Sequence, residues 1–180
     1  ERVIKKLKLS GLQYTIPDGV NLIPTFTGRN GYLEIAKEGD LPILGQHVPT
    51  YDKNQNLFLG GSGMLGTAKG YIDFWRKLLD SEQSFLNKES ISMMTSRPIH
   101  HPTNQGYQTS FGAYITGESD HQSDLLTVGG YEFTKAWVDK DNKLFGVLFS
   151  QVHSTTDGDG LGSKMEKEFQ EELYKQLNKR

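Results

Sequence analysis

A serine becomes an acyl-transfer nucleophile when a lysine stands three residues later on a helix. One helical turn then brings the amine beside the hydroxyl, where it can take the proton. None of the serines in this sequence has lysine at that offset, and neither Tyr-x-Asn nor Ser-x-Asn occurs. Gly-x-Ser-x-Gly fails as well: Ser62 stands in Gly60-Gly61-Ser62-Gly63, but Met64 takes the place of the last glycine. Cysteine is absent, which excludes thiolate nucleophiles, thiolate metal sites and disulfides. The sequence therefore assigns no catalytic nucleophile to any residue of the chain.

Other groupings carry less chemistry. The glycine run Gly60–Gly66 invites a phosphate cradle, but a P-loop closes on Gly-Lys-Ser/Thr, and here Thr67 is followed by Ala68. It reads as a tight turn into a helix, or as a turn that brings backbone close to a substrate cleft. His100 and His101 are neighbours whose side chains point different ways, and no acidic residue stands near them at a ligand spacing. His47, His121 and His153 are isolated. Asp157-Gly158-Asp159-Gly160 lacks the bidentate glutamate of a calcium loop and reads as a polar turn. No metal site and no cofactor are expected.

These residues need a frame to hold them. A chain of 180 residues can bury one domain core, and 35% hydrophobic with 23% charged residues suits a globular protein rather than a disordered one. The net charge of −2 gives no general attraction to nucleic acid or anionic lipid. No apolar run approaches the roughly 20 residues of a membrane helix, so no span is expected in this segment. The sequence leaves the compartment open.

Residues 1–58 are expected to be largely irregular. Residues 1–9 place Val3, Ile4, Leu7 and Leu9 at helical spacing, whereas 10–58 show no sustained period and are broken by Pro17, Pro24, Pro42 and Pro49. Residues 59–96 read as helical. Thr67 is the expected N-cap of a helix whose stripe is Ala68, Tyr71, Ile72, Trp75, Leu78 and Leu79. Asn87 is the expected cap of a second helix over 88–94. Residues 105–180 read as antiparallel strands followed by a terminal helix. Alternation over 107–116 gives one strand. A second covers 124–138 with a bulge at Gly129-Gly130, and a nearly continuous apolar one covers 144–152, as expected of a buried central strand. Ser163-Lys164-Met165-Glu166 reads as a capping box opening the last helix, with Met165, Phe169, Leu173 and Leu177 on its apolar face.

Two blocks of this pattern resemble a known family. Gly60-Gly61-Ser62-Gly63-Met64-Leu65-Gly66-Thr67, running on through Tyr71, Asp73 and Phe74, resembles the Gly-rich helix start of the serine β-lactamase-related hydrolases. That family includes class C β-lactamases, penicillin-binding-protein-like carboxypeptidases, esterases and acyltransferases. Val128-Gly129-Gly130-Tyr131, followed by Thr134-Lys135-Ala136-Trp137-Val138-Asp139 and Leu144–Leu148, resembles its third-motif strand and the hairpin after it. Ile4–Leu9 resembles a helix just beyond the family's Tyr-x-Asn motif. The resemblance implies an α+β fold, an antiparallel sheet flanked by helices in the family's α/β/α sandwich, of which this chain is the C-terminal part. It also implies a small ester or amide substrate attacked by a serine to give an acyl-enzyme. The backbone N–H of Tyr131 would donate to the oxyanion, and Val128, Gly129, Gly130 and Tyr131 would line the substrate groove. Val128 stands where many members carry a basic residue for a substrate carboxylate, which points toward the esterase and acyltransferase branch. Phe133 replaces a glycine frequent in the hairpin.

Two readings of function follow. The chain opens on what reads as the middle of a helix, which favours a portion of an active serine hydrolase whose nucleophile segment lies on a missing N-terminal half or a partner chain. Val128 favours a non-catalytic binding or scaffold domain that kept the sheet. Either way, this piece alone is expected to be inactive and to expose apolar surface.

Overall fold

The computed structural model describes residues 2–29, 32–37, 64–80, 82, 84–96, 108–109, 114–116, 125–130, 133–153 and 161–178. The chain divides into two compact units. One holds Glu1–Thr15, Leu57–Gly129 and Ala136–Val147; the other holds Ile16–Asn56, Gly130–Lys135 and Leu148–Arg180.

In the first unit the chain begins as consecutive turns over residues 2–8. The Leu7 N–H donates to the Val3 carbonyl at 2.9 Å, as in a helix. Leu9 N–H then reaches back to Ile4 O at 2.9 Å and Lys8 N–H to Lys5 O at 3.2 Å, with Lys8 at φ +49°. This pair of bonds around a left-handed residue is a Schellman stop, and it sets Ile4 and Leu9 side by side. Lys77 caps the same turn, its ammonium donating to Leu7 O at 2.8 Å and Lys8 O at 3.3 Å.

The strand β1 (Leu12–Gln13) follows and pairs antiparallel with β4 (Leu65–Gly66). The helix α1 (Ala68–Leu79) starts where the sequence places it. Thr67 is the N-cap, its Oγ1 accepting the Gly70 N–H at 3.0 Å, and Asp80 ends the helix. The helix α2 (Lys88–Ser96) is capped by Asn87, which accepts the Ser90 N–H at 2.8 Å.

The larger sheet has the order β5 (Gln108–Thr109), β6 (Tyr114–Thr116), β7 (Leu125–Gly129), β8 (Lys135–Asp139) and β9 (Leu144–Leu148). Antiparallel pairing sets Thr127 opposite Tyr114 and Leu126 opposite Ile115. One face of β7 and β8 supplies Leu126 and Val138 to a core completed by Trp75 and Leu78 of α1, with Tyr71, Phe74, Leu86, Met94, Val128 and Phe145 around it. Leu125 and Trp137 are buried as well, so both strands are covered on both faces. Asp139 is fully buried at the turn into β9, where it accepts the Asn142 backbone N–H at 2.9 Å and the Asn142 side-chain amide at 2.8 Å.

Several elements differ from the sequence-based expectation. The apolar run 144–152 is not central: β9 ends at Leu148 and stands last in the sheet order, and β8 is the strand with the most buried residues. The region read as 107–116 holds two short strands rather than one. Besides β1, the region 1–58 holds β2 (Phe26–Arg29) and β3 (Tyr32–Ile35) of the second unit, which pair antiparallel; β10 (Val152–His153) of the same unit pairs parallel with β2. No alternation announced β3 because all four of its residues are exposed, Tyr32 at 75%.

The helix α3 (Leu161–Leu177) starts two residues before Ser163, so Ser163 stands inside the helix rather than at its N-cap. Glu166 instead pairs with Lys135 at 2.9 Å, within the second unit. The buried stripe of α3 is also rotated: Tyr174 is 3% exposed, whereas Phe169 is 45% exposed.

Candidate functional site

The strand β7 carries the predicted groove residues at its end. Alternation along the strand turns Val128 to the same side as Leu126, and its half-buried side chain packs against the Trp75–Leu126–Val138 cluster. Val128 can therefore meet a groove only through its backbone. Gly129 and Gly130 are exposed.

Gly130 has two structural duties. Its N–H donates to Thr134 O at 2.7 Å, closing the turn that leads into β8. A Cβ at Gly130 would stand 2.1 Å from Thr134 Oγ1, so a larger residue there requires the Thr134 side chain to turn away. With its N–H committed to Thr134, Gly130 cannot serve as an oxyanion donor. Tyr131, the predicted donor, lies outside the described residues. Phe133, at φ +49°, occupies the left-handed region that glycine adopts without strain. Ser150 Oγ donates to the Phe133 carbonyl at 3.1 Å.

The Gly-rich helix start has a different use. Gly60–Gly63 fall outside the described residues, but the end of the motif is clear. Thr67 N–H donates to Gly11 O at 2.9 Å. A Cβ on Gly70 would stand 2.6 Å from Ser10 O, and one on Gly66 2.9 Å from Leu12 Cδ2. The first turn of α1 is thus packed against the backbone of residues 10–12. An anion at this N-terminus would have to displace that strand.

A cavity of about 510 Å³ opens beside this contact. Val3, Ile4, Leu9 and Leu12 form one wall, Met64, Tyr71 and Phe74 another, and Arg2 and Tyr14 add polar groups. Burial pushes the Tyr71 phenol up, and the neighbouring Trp75 side chain offsets part of this. On the outer side of α1, Asp73 bonds Lys69, which holds its carboxyl below the usual range. No sequence motif marked this cavity. The available signal was that Val3, Ile4 and Leu9 are apolar yet cannot all share the buried side with Leu7.

Among the described residues no group of three His, Asp or Glu side chains is placed to hold a metal, and no helix is long and apolar enough to cross a membrane. His47, His100, His121 and Asp157–Gly160 lie outside the described residues.

No protein-family model matches the sequence, and no curated protein matches it. Solved structures do match. EstCE1, a hydrolase with promiscuous acyltransferase activity, superposes with a TM-score of 0.70 at 20% identity, over 84% of this chain and 44% of its own. The LovD6 mutant of simvastatin synthase from Aspergillus terreus gives 0.75 at 15% identity, over 99% of this chain and 49% of its own. This chain has part of the serine β-lactamase-like fold. At these identities the likeness concerns the fold, and the chain spans a little under half the length of the proteins it matches. The α+β class and the terminal helix expected of that fold are both present.

Proposed function

We propose that these residues are the C-terminal portion of a serine hydrolase or acyltransferase. Its serine, lysine and tyrosine are supplied by polypeptide outside the 180 residues. One observation carries this reading: the chain takes up nearly half of two acyl-processing folds, yet contains neither Ser-x-x-Lys nor Tyr-x-Asn. In the proposed reaction the serine hydroxyl adds to an ester or amide carbonyl as its proton passes to the neighbouring base. The C–O or C–N bond then breaks as the leaving group takes up that proton. Water or an acceptor alcohol resolves the acyl-enzyme. This chain contributes the groove wall: the Val128 backbone, Gly129 and Gly130, with the Tyr131 N–H donating to the oxyanion.

A fluorophosphonate probe tests the reading. The 180-residue chain alone should remain unlabelled. A longer product of the same gene should be labelled on a serine followed three residues later by lysine, and should hydrolyse p-nitrophenyl esters. A labelled serine within these 180 residues, or a longer product that is neither labelled nor active, would overturn it. The second of those results would favour a binding or scaffold domain.

A further inference from the structure

The cavity beside α1 is built like half of an interface. It is lined by Val3, Ile4, Leu9, Leu12, Met64 and Phe74, of which only Leu12 is buried. Met64 is 43% exposed. Ile4 and Leu9 are fixed side by side by the Schellman stop, and Leu12 by the β1–β4 pairing, so this wall is preformed. An engineered cavity of about 150 Å³ holds one benzene. The 510 Å³ here therefore takes roughly three side chains of that size. That is the number a helix presents from one stripe at i, i+3 or i+4, and i+7. The exposed Arg2 at the edge brings a guanidinium suited to a carboxylate. The solved structures that share this fold are about twice as long, so the fold has a second half to place.

We propose that this cavity is the docking site for one amphipathic helix of the polypeptide that completes the fold. That helix presents three apolar side chains to Ile4, Leu9 and Phe74, and an aspartate or glutamate to Arg2. The proposal rests on the reading that the chain is part of a longer hydrolase, and it names the surface through which the two parts join. It also accounts for an N-terminal segment held in place by Lys77 and Gly11 while Val3, Ile4 and Leu9 stay only half-buried along the cavity.

The absence of cysteine makes the test direct. Ile4→Cys places a single thiol in the cavity, and Lys167→Cys places a control on an exposed position of α3. Thiol labelling is followed in the 180-residue chain alone and after co-expression with the polypeptide encoded upstream of Glu1. Association should slow labelling at position 4 by about tenfold or more, while position 167 changes by less than about twofold. Arg2→Glu should weaken the association without unfolding the chain, and a charge reversal on the partner helix should restore it. Unchanged labelling at position 4 in a stable complex overturns the proposal, as does a gene that begins at Glu1. Equal protection by decanoate alone would assign the cavity to a small ligand and overturn it too. Protection at position 4 without fluorophosphonate labelling leaves the docking intact and removes the catalytic reading. A labelled serine with an unprotected position 4 does the reverse.

Discussion

Gly70 and Ser10 meet so closely that a methyl group on Gly70 would stand 2.6 Å from the Ser10 carbonyl oxygen. Glycine inside a helix ordinarily costs about 0.5–1 kcal/mol relative to alanine, so Gly→Ala there is normally stabilising. Here the obstacle is backbone, and the Gly11 carbonyl is nearly as close at 2.9 Å. Gly70→Ala should therefore destabilise the chain by about 2–3 kcal/mol, read as a lower denaturant midpoint. A raised midpoint would show that the 10–12 segment is not seated on α1.

The same logic applies between β8 and β9. A Cβ on Gly146 would stand 2.0 Å from Cε2 and Cζ2 of Trp137, so the indole lies directly on the glycine. Trp137 is buried and has no open direction in which to retreat. Gly146→Ala should cost about 3 kcal/mol. The chain has two tryptophans, so the Trp75→Phe background isolates Trp137. Its emission should shift to the red in Gly146→Ala if the packing is as described, and should stay unchanged if it is not.

How much of this was legible in the sequence depended on whether the signal was local. Thr67 and Asn87 announce their helices because a cap needs only its own turn. The stripe through Trp75 and Leu78 is likewise a local period. On α3 the expected face is shifted rather than lost: Met165, Leu173 and Leu177 are half-buried, whereas Phe169 is exposed and Tyr174, one position beyond Leu173, is buried. β3 pairs with the neighbouring β2, but all four of its residues are exposed and leave no alternation to read, while the edge position of β9 depends on the order of the whole sheet, which periodicity does not see. The groove strand shows the same limit. Gly129-Gly130 was readable as a motif, but the direction of Val128 follows from the strand's register against its neighbours.

Phe133 offers a test in which the sign alone is informative. At ordinary positions alanine is more stable than glycine by about 0.5–1 kcal/mol. At φ +49° the order should reverse, because the alanine Cβ is strained there and glycine has none. Phe133→Gly should exceed Phe133→Ala in stability by about 1 kcal/mol, with both losing the contacts of the half-buried ring. Alanine above glycine would show that residue 133 has φ below zero. The comparison also asks whether the glycine frequent at this point of the family hairpin is there for backbone conformation.

Tyr71 predicts how stability responds to alkali. Burial raises its pKa above the ordinary 10.0, and the neighbouring Trp75 side chain only partly opposes this. The folded chain then holds the phenolic proton more tightly than the unfolded one. Tyr71's contribution is fully present below about pH 10 and is lost as pH rises through the raised folded value. Urea midpoints measured from roughly pH 8 to pH 11 should fall more steeply for the parent chain than for Tyr71→Phe, which has no proton to lose there. At pH 8 the variant should sit within about 1–2 kcal/mol of the parent, since only a half-buried hydroxyl is removed. Parallel alkaline profiles would mean that Tyr71 is exposed to water in solution. A polypeptide docked over the cavity that Tyr71 lines should steepen the parent's profile further, because it removes the remaining solvent from the hydroxyl.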